Sequence, residues 1–98
     1  MPSIAKTDEF DQWLQALRDI RAKAKILVRI ERLEAGNPGD VAAVGDGVSE
    51  MRIHYGPGYR IYYTQRGDEL ILLLCGGDKG SQTMDITRAK SLKKTLEK

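Results

Sequence analysis

The chain has 98 residues, of which 41% are hydrophobic and 31% charged, a balance that suits one buried core and excludes both a disordered tail and a second independent domain. Its longest apolar run, Leu70 to Cys75, is far short of the roughly 20 residues that a bilayer-spanning helix needs. The net charge is +2, but residues 1–51 carry seven Lys/Arg against nine Asp/Glu and residues 52–98 carry nine against five, so the second half is the part suited to a polyanion.

The first residues, Met1 to Lys6, lack a basic start followed by an apolar stretch, so no secretory signal is expected and the cytoplasm is the expected compartment. Thr7 is placed to cap a helix whose first turn holds Asp8 and Glu9, acids that suit the positive end of the helix dipole. Phe10, Trp13, Leu14 and Leu17 then fall on one stripe at i, i+3, i+4 and i+7. Asp19 offers a second cap, before a helix that buries Ile26, Ile30 and Leu33 and stops at Gly36-Asn37-Pro38-Gly39.

From Val41 the period becomes alternating. Met51, Ile53 and Tyr55 should face one side of a strand, with Glu50, Arg52 and His54 on the other. Gly56-Pro57-Gly58 signals a tight turn, and residues 59–64 read as the returning strand, Ile61 and Tyr63 opposite Arg60 and Tyr62. After Arg66-Gly67-Asp68, the apolar run Leu70 to Leu74 suits a central strand covered on both faces, where Cys75, the single cysteine, would be a buried and inert thiol. Gly76 to Ser81 reads as a flexible loop, and residues 83–97 as a last helix through Ile86, Ala89, Leu92 and Leu96, with Lys90, Lys93, Lys94 and Lys98 on its basic side. The order is α-α-β-β-β-β-α, an α+β domain spanning residues 1–98.

The residue inventory narrows the chemistry. One His and one Cys do not make the usual zinc site, and no short run of acids resembles a two-metal nuclease, so neither metal nor cofactor is expected. The glycine-rich stretches lack the spacing of a nucleotide-binding loop. What remains is cationic: Arg52 and His54 share one strand face, Arg60 lies across the hairpin, and Lys79 leaves the next strand, so the four can converge on one phosphate-binding concavity. The same alternation also describes the plain solvated face of an amphipathic hairpin.

The string from Val48 to Tyr63 (VSEMRIHYGPGYRIYY), with Leu72 to Lys79 (LLLCGGDK), Gln82, Asp85-Ile86, the Gly36 to Asp40 turn and the Trp13 helix, resembles the phage-derived, HigB-like addiction module killer branch of the RelE/ParE toxins. The resemblance covers nearly the whole chain. It implies a RelE-like fold, with an N-terminal helical hairpin packed on a mainly antiparallel four-stranded sheet and a C-terminal helix.

It further implies a type II toxin that cuts messenger RNA on the ribosome without metal and is silenced by a helix-turn-helix antitoxin. In this chemistry the ribose 2′-oxygen attacks the neighbouring phosphorus and the 5′-oxygen leaves, and cationic donors stabilise the charge gathered in between. By motif position Arg60 and Lys79 fall on the phosphate-binding residues, and Arg52 and His54 on the basic strand. Histidine, the residue type that titrates near neutrality, is the candidate base. Tyr59, Tyr62 and Gln82 are the candidate RNA contacts. Several relatives carry a Tyr or His near Gln82 to Asp85, and this chain has neither, so no leaving-group acid is assigned. The same resemblance admits a ParE-like gyrase poison, or a decayed toxin that only binds its antitoxin.

Overall fold

Thr7 joins a strand to a helix in the computed structural model, which describes residues 2–97; Lys98, counted above on the basic side of the last helix, lies outside them. Before Thr7 runs β1 (Ser3–Lys6) and after it α1 (Asp8–Ala16). The threonine oxygen accepts the Phe10 N–H at 3.0 Å, as an N-cap should, and its hydroxyl donates to the Leu74 carbonyl at 2.6 Å. Asp19 caps α2 (Ile20–Glu34) in the same way, accepting from the N–H groups of Arg21 and Ala22.

Four further strands follow: β2 (Val41–Gly45), β3 (Val48–Ile53), β4 (Tyr59–Arg66) and β5 (Leu70–Asp78). A single 3-10 turn (Lys79–Ser81) leads into α3 (Gln82–Leu96). The sheet is five-stranded in the order β1-β5-β4-β3-β2, antiparallel except for the parallel pair of β1 with β5. The domain is α+β, as expected, but the sheet is mixed and has five strands rather than four. The helical pair is not N-terminal, because β1 precedes it. Four residues are too few to show a strand period, and β1 exists because the edge of β5 accepts it.

The sheet is covered on both faces. On one, Phe10 and Leu14 of α1 and Ile26 and Leu33 of α2 pack on Met51, Ile53, Ile61, Tyr63, Ile71 and Leu73. On the other, Ala89 of α3 closes over Val48, Tyr62, Leu74 and Cys75, with Ile86 and Leu92 beside it. Leu96, expected in that stripe, is half exposed at the end of the helix. Leu74 is an extra residue in β5: Tyr62 pairs with Cys75 and Tyr63 with Leu73, which turns Leu74 and Cys75 to the same side. The Thr7 hydroxyl meets the carbonyl of that extra residue. Burial drives the Cys75 thiol up to about 12, consistent with an inert core cysteine.

The Gly76-Gly77 stretch is strand rather than flexible loop. Each glycine lies under a bulky neighbour on a different face. A Cβ on Gly76 would come within 2.3 Å of the Trp13 ring, and one on Gly77 within 1.8 Å of the Asp85 carboxylate. Trp13 is itself wedged between Phe10 and Tyr59, at 5.8 and 6.2 Å between ring centres. Gly76→Ala should therefore lower stability in urea denaturation by about 1–3 kcal/mol through overpacking. The loss should shrink in a Trp13→Ala background; an equal loss in both backgrounds would show that the indole is not the obstacle.

Candidate phosphate-binding pocket

Strand register assembles the site. Arg52 of β3 pairs with Arg60 of β4, and Glu50 pairs with Tyr62, so these four side chains form a block on the α3 side of the sheet. Two arginines directly opposite would repel. Between and beneath them lies Glu50, with no exposed surface at all. One of its oxygens, Oε1, accepts from Arg52 Nε and Arg60 Nη1, both at 3.0 Å. The other, Oε2, accepts from the Tyr62 hydroxyl at 3.0 Å and from Gln82 Nε2, at the start of α3, at 2.9 Å.

Burial alone would push the Glu50 carboxyl up. Hydrogen bonds from Gln82, Arg52 and Tyr62 and the charge of Arg60 outweigh it, holding the group below the ordinary carboxylate range. The Tyr62 phenol is driven well above its usual range by burial and by the carboxylate it faces.

Above this anchor opens a pocket of about 360 Å³, lined by Arg52, His54, Arg60, Lys79 and the Tyr55–Gly58 turn. All four cationic candidates named from the sequence line this one concavity. Arg60 is mostly buried, with 12% of its side chain exposed, against 37% for Arg52. Lys79 is exposed on the 3-10 turn, which Asp78 caps by accepting the N–H groups of Gly80 and Ser81. Its Cβ lies 3.4 Å from where a Cβ on Gly58 would sit, and the positive φ of Gly58 lets the β3–β4 turn pass close beneath it.

His54 stands at the rim, its Nε2 2.5 Å from Asp40 Oδ2. That hydrogen bond, with the nearby charges of His54, Arg52 and Arg29, holds the Asp40 carboxyl below its ordinary value despite some loss of hydration. Among the described residues no three His, Cys, Asp or Glu side chains cluster as a metal would require.

The expected RNA contacts fare differently. Tyr62 has no exposed ring face, because α3 covers it, so it cannot stack on a base. Tyr59 lies on the other side of the sheet, edge-on to Trp13, and not in the pocket. One N–H of the Gln82 amide is committed to Glu50. Tyr62 is thereby corrected to a buried support of the site, while Tyr59 stands behind the cationic side chains and Gln82 beside Glu50. In the sequence Glu50 is only a polar strand residue, and its role beneath the arginines comes from the structure. The available signal was that it is the sole acid on a strand face otherwise holding Arg52 and His54, opposite Arg60.

Replacing Glu50 with Ala should cost about 3–5 kcal/mol, since it leaves two arginines partly desolvated without their counter-charge. The pH dependence has a definite sign. A carboxyl whose folded-state pKa is depressed contributes stability that is fully present above its ordinary value of 4.5 and is lost as the pH falls below it towards the folded-state value. Urea titrations between pH 7 and pH 3 should therefore show an acid-sensitive component in the wild type that is missing from Glu50→Gln; identical acid slopes would refute the anchoring role.

Residues 12–97 match the family model described as phage-derived protein Gp49-like, a span that runs from within α1 through α2 and the pocket strands to the end of α3. The chain is also 50% identical over 93 residues to an uncharacterized protein of Haemophilus influenzae strain Rd, covering 95% of this chain and 94% of that one. With the match running through nearly every element that builds the fold and the pocket, the chain belongs to the phage-derived Gp49-like protein family.

Proposed function

We propose that this protein is the toxin of a type II toxin–antitoxin pair, a RelE/ParE-like endoribonuclease that cuts messenger RNA on the ribosome, in the cytoplasm, without a metal. The observation that carries the reading is the gathering of Arg52, His54, Arg60 and Lys79 around one pocket, with both arginines tethered to Glu50 from below. An in-line attack by the ribose 2′-oxygen gives a 2′,3′-cyclic phosphate and a free 5′-hydroxyl. Its barrier is set by the negative charge that accumulates on the phosphoryl oxygens. Donors already in place stabilise that charge without having to reorganise. Each arginine spends one N–H on Glu50 and keeps the rest of its planar fork for phosphate oxygens. Lys79, on its capped turn, adds a further cationic donor to the lining.

The partner in this reading is a small helix-turn-helix antitoxin that keeps the basic pocket from the ribosome. Arg60→Lys and Lys79→Ala should each lower cleavage of a translated message by about 10²–10³-fold, the usual effect of deleting one transition-state donor. Thermal melts would confirm that the variants remain folded. RNA binding should weaken linearly in log-log form as salt rises, because phosphate contacts release counterions. Growth arrest with intact messages and trapped gyrase would overturn the ribonuclease reading in favour of a ParE-like target. Wild-type expression that is harmless without antitoxin would overturn both.

A further inference from the structure

We infer that Asp40 and His54 form a working dyad, in which Asp40 is the positioning residue that holds the His54 ring through Nε2 and leaves Nδ1 as the proton acceptor of the pocket. The inference rests on the ribonuclease reading and adds to it a residue and an atom.

A proton acceptor must have a free lone pair within the pocket. Glu50 has none: four donors occupy its two oxygens, which matches the number of lone-pair sites a carboxylate offers. The His54 ring is different. Its Nε2 faces Asp40 Oδ2, while Nδ1 takes no protein partner among the described residues. A carboxylate at Nε2 draws the ring proton to that nitrogen, so the lone pair resides on Nδ1. The same logic makes the third member of a hydrolytic triad an orienter rather than a reactant.

Both side chains are exposed, His54 by 74% and Asp40 by 44%, and an ordinary surface pair of that kind is loosely held. The Asp40 backbone is not loose. Its carbonyl accepts the Arg52 N–H at 2.9 Å, extending the β2–β3 ladder by one residue. The Arg29 guanidinium, reaching from α2, donates to the carbonyls of Pro38 at 3.0 Å, Asp40 at 3.4 Å and Arg52 at 2.7 Å. One side chain thereby fixes the segment that carries the carboxylate to the strand that leads to the imidazole. The route also requires Gly39, whose φ is +71 and whose Cβ would meet Arg29 Nη2 at 2.9 Å. Asp40 lies across from Arg52, and His54 follows Arg52 by two residues on the same face, so the pair is a diagonal cross-strand contact whose histidine lines the arginine pocket while Asp40 stands behind it.

The Nδ1 lone pair takes the 2′-hydroxyl proton as O2′ bonds to phosphorus and the P–O5′ bond breaks. The electron pair goes to O5′, which takes a proton from water. The imidazolium, facing the Asp40 carboxylate, returns its proton to the resulting hydroxide, and no net acid or base is consumed.

Two measurements on the full chain test the dyad. Carbon-13 NMR of the Asp40 carboxyl reports the pairing directly. In His54→Ala its titration midpoint should rise towards the unperturbed 3.8; an unmoved midpoint overturns the pairing. Cleavage of a translated message should then lose kcat, with KM retained, by about tenfold or more in Asp40→Asn and about 10²-fold or more in His54→Ala. The double variant should be no slower than His54→Ala, because Asp40 acts through the ring. An Asp40→Asn protein that cuts as fast as an active wild type, or a double variant whose losses multiply, overturns the positioning role alone. A wild type that cuts nothing overturns the ribonuclease reading and this role together.

Discussion

A carboxylate sealed from water is stable only if the groups around it replace every hydrogen bond it gave up, and Glu50 meets that condition with donors from three different elements. Arg52 comes from its own strand, Arg60 and Tyr62 from the next, and Gln82 from the helix that closes the sheet. Replacing the whole group of paired charges with well-packed apolar residues would serve stability as well or better. What the charge provides instead is orientation: it sets two guanidinium groups side by side, against their mutual repulsion, at the floor of a pocket. The fold and the site share this one contact, since the residue that seats α3 on the sheet is also the one that aims the arginines.

The supports around the pocket obey the same rule of fixing a charged group through the backbone beside it. Arg29 is cationic yet is used to bind three carbonyls, which locks the approach to β2 against the end of β3. Asp78 is anionic yet is used to cap the turn on which Lys79 stands. Charge near the site is therefore of two kinds, one spent inside the protein and one left for a ligand. The overall net charge does not separate them.

Much of the fold was legible in the sequence. Thr7 and Asp19 declare two helix starts, the stripe from Phe10 to Leu17 names the buried face of α1, and the alternation around Met51 and Ile61 names that of the hairpin. The failures share a cause: they depend on what covers a residue rather than on the residue itself. β1 is too short for a period and is defined by its partner. Gly76 and Gly77 look like a loop until Trp13 and Asp85 are placed over them. Tyr62 and Glu50 look like surface groups until α3 lies across them and brings Gln82 against Glu50. For the pocket, alternation put Arg52, Arg60 and His54 in reach of one another. The carboxylates that hold them were invisible, because an acid beside an arginine in one dimension says nothing about its depth in three.

The parallel pairing of β1 with β5 bears on how the chain reaches this state. The Thr7 hydroxyl bonds to a carbonyl 67 residues further on, and Ser3 aligns with Leu70. Closing a span of that length costs entropy before any contact rewards it. During synthesis the first strand must wait for the fifth, the strand it pairs with. Until then Ile4 and the apolar side of α1 lack the β5 part of their support, and Lys79, which directly follows β5, cannot join the arginines, so the pocket is completed only after the last strand is in place.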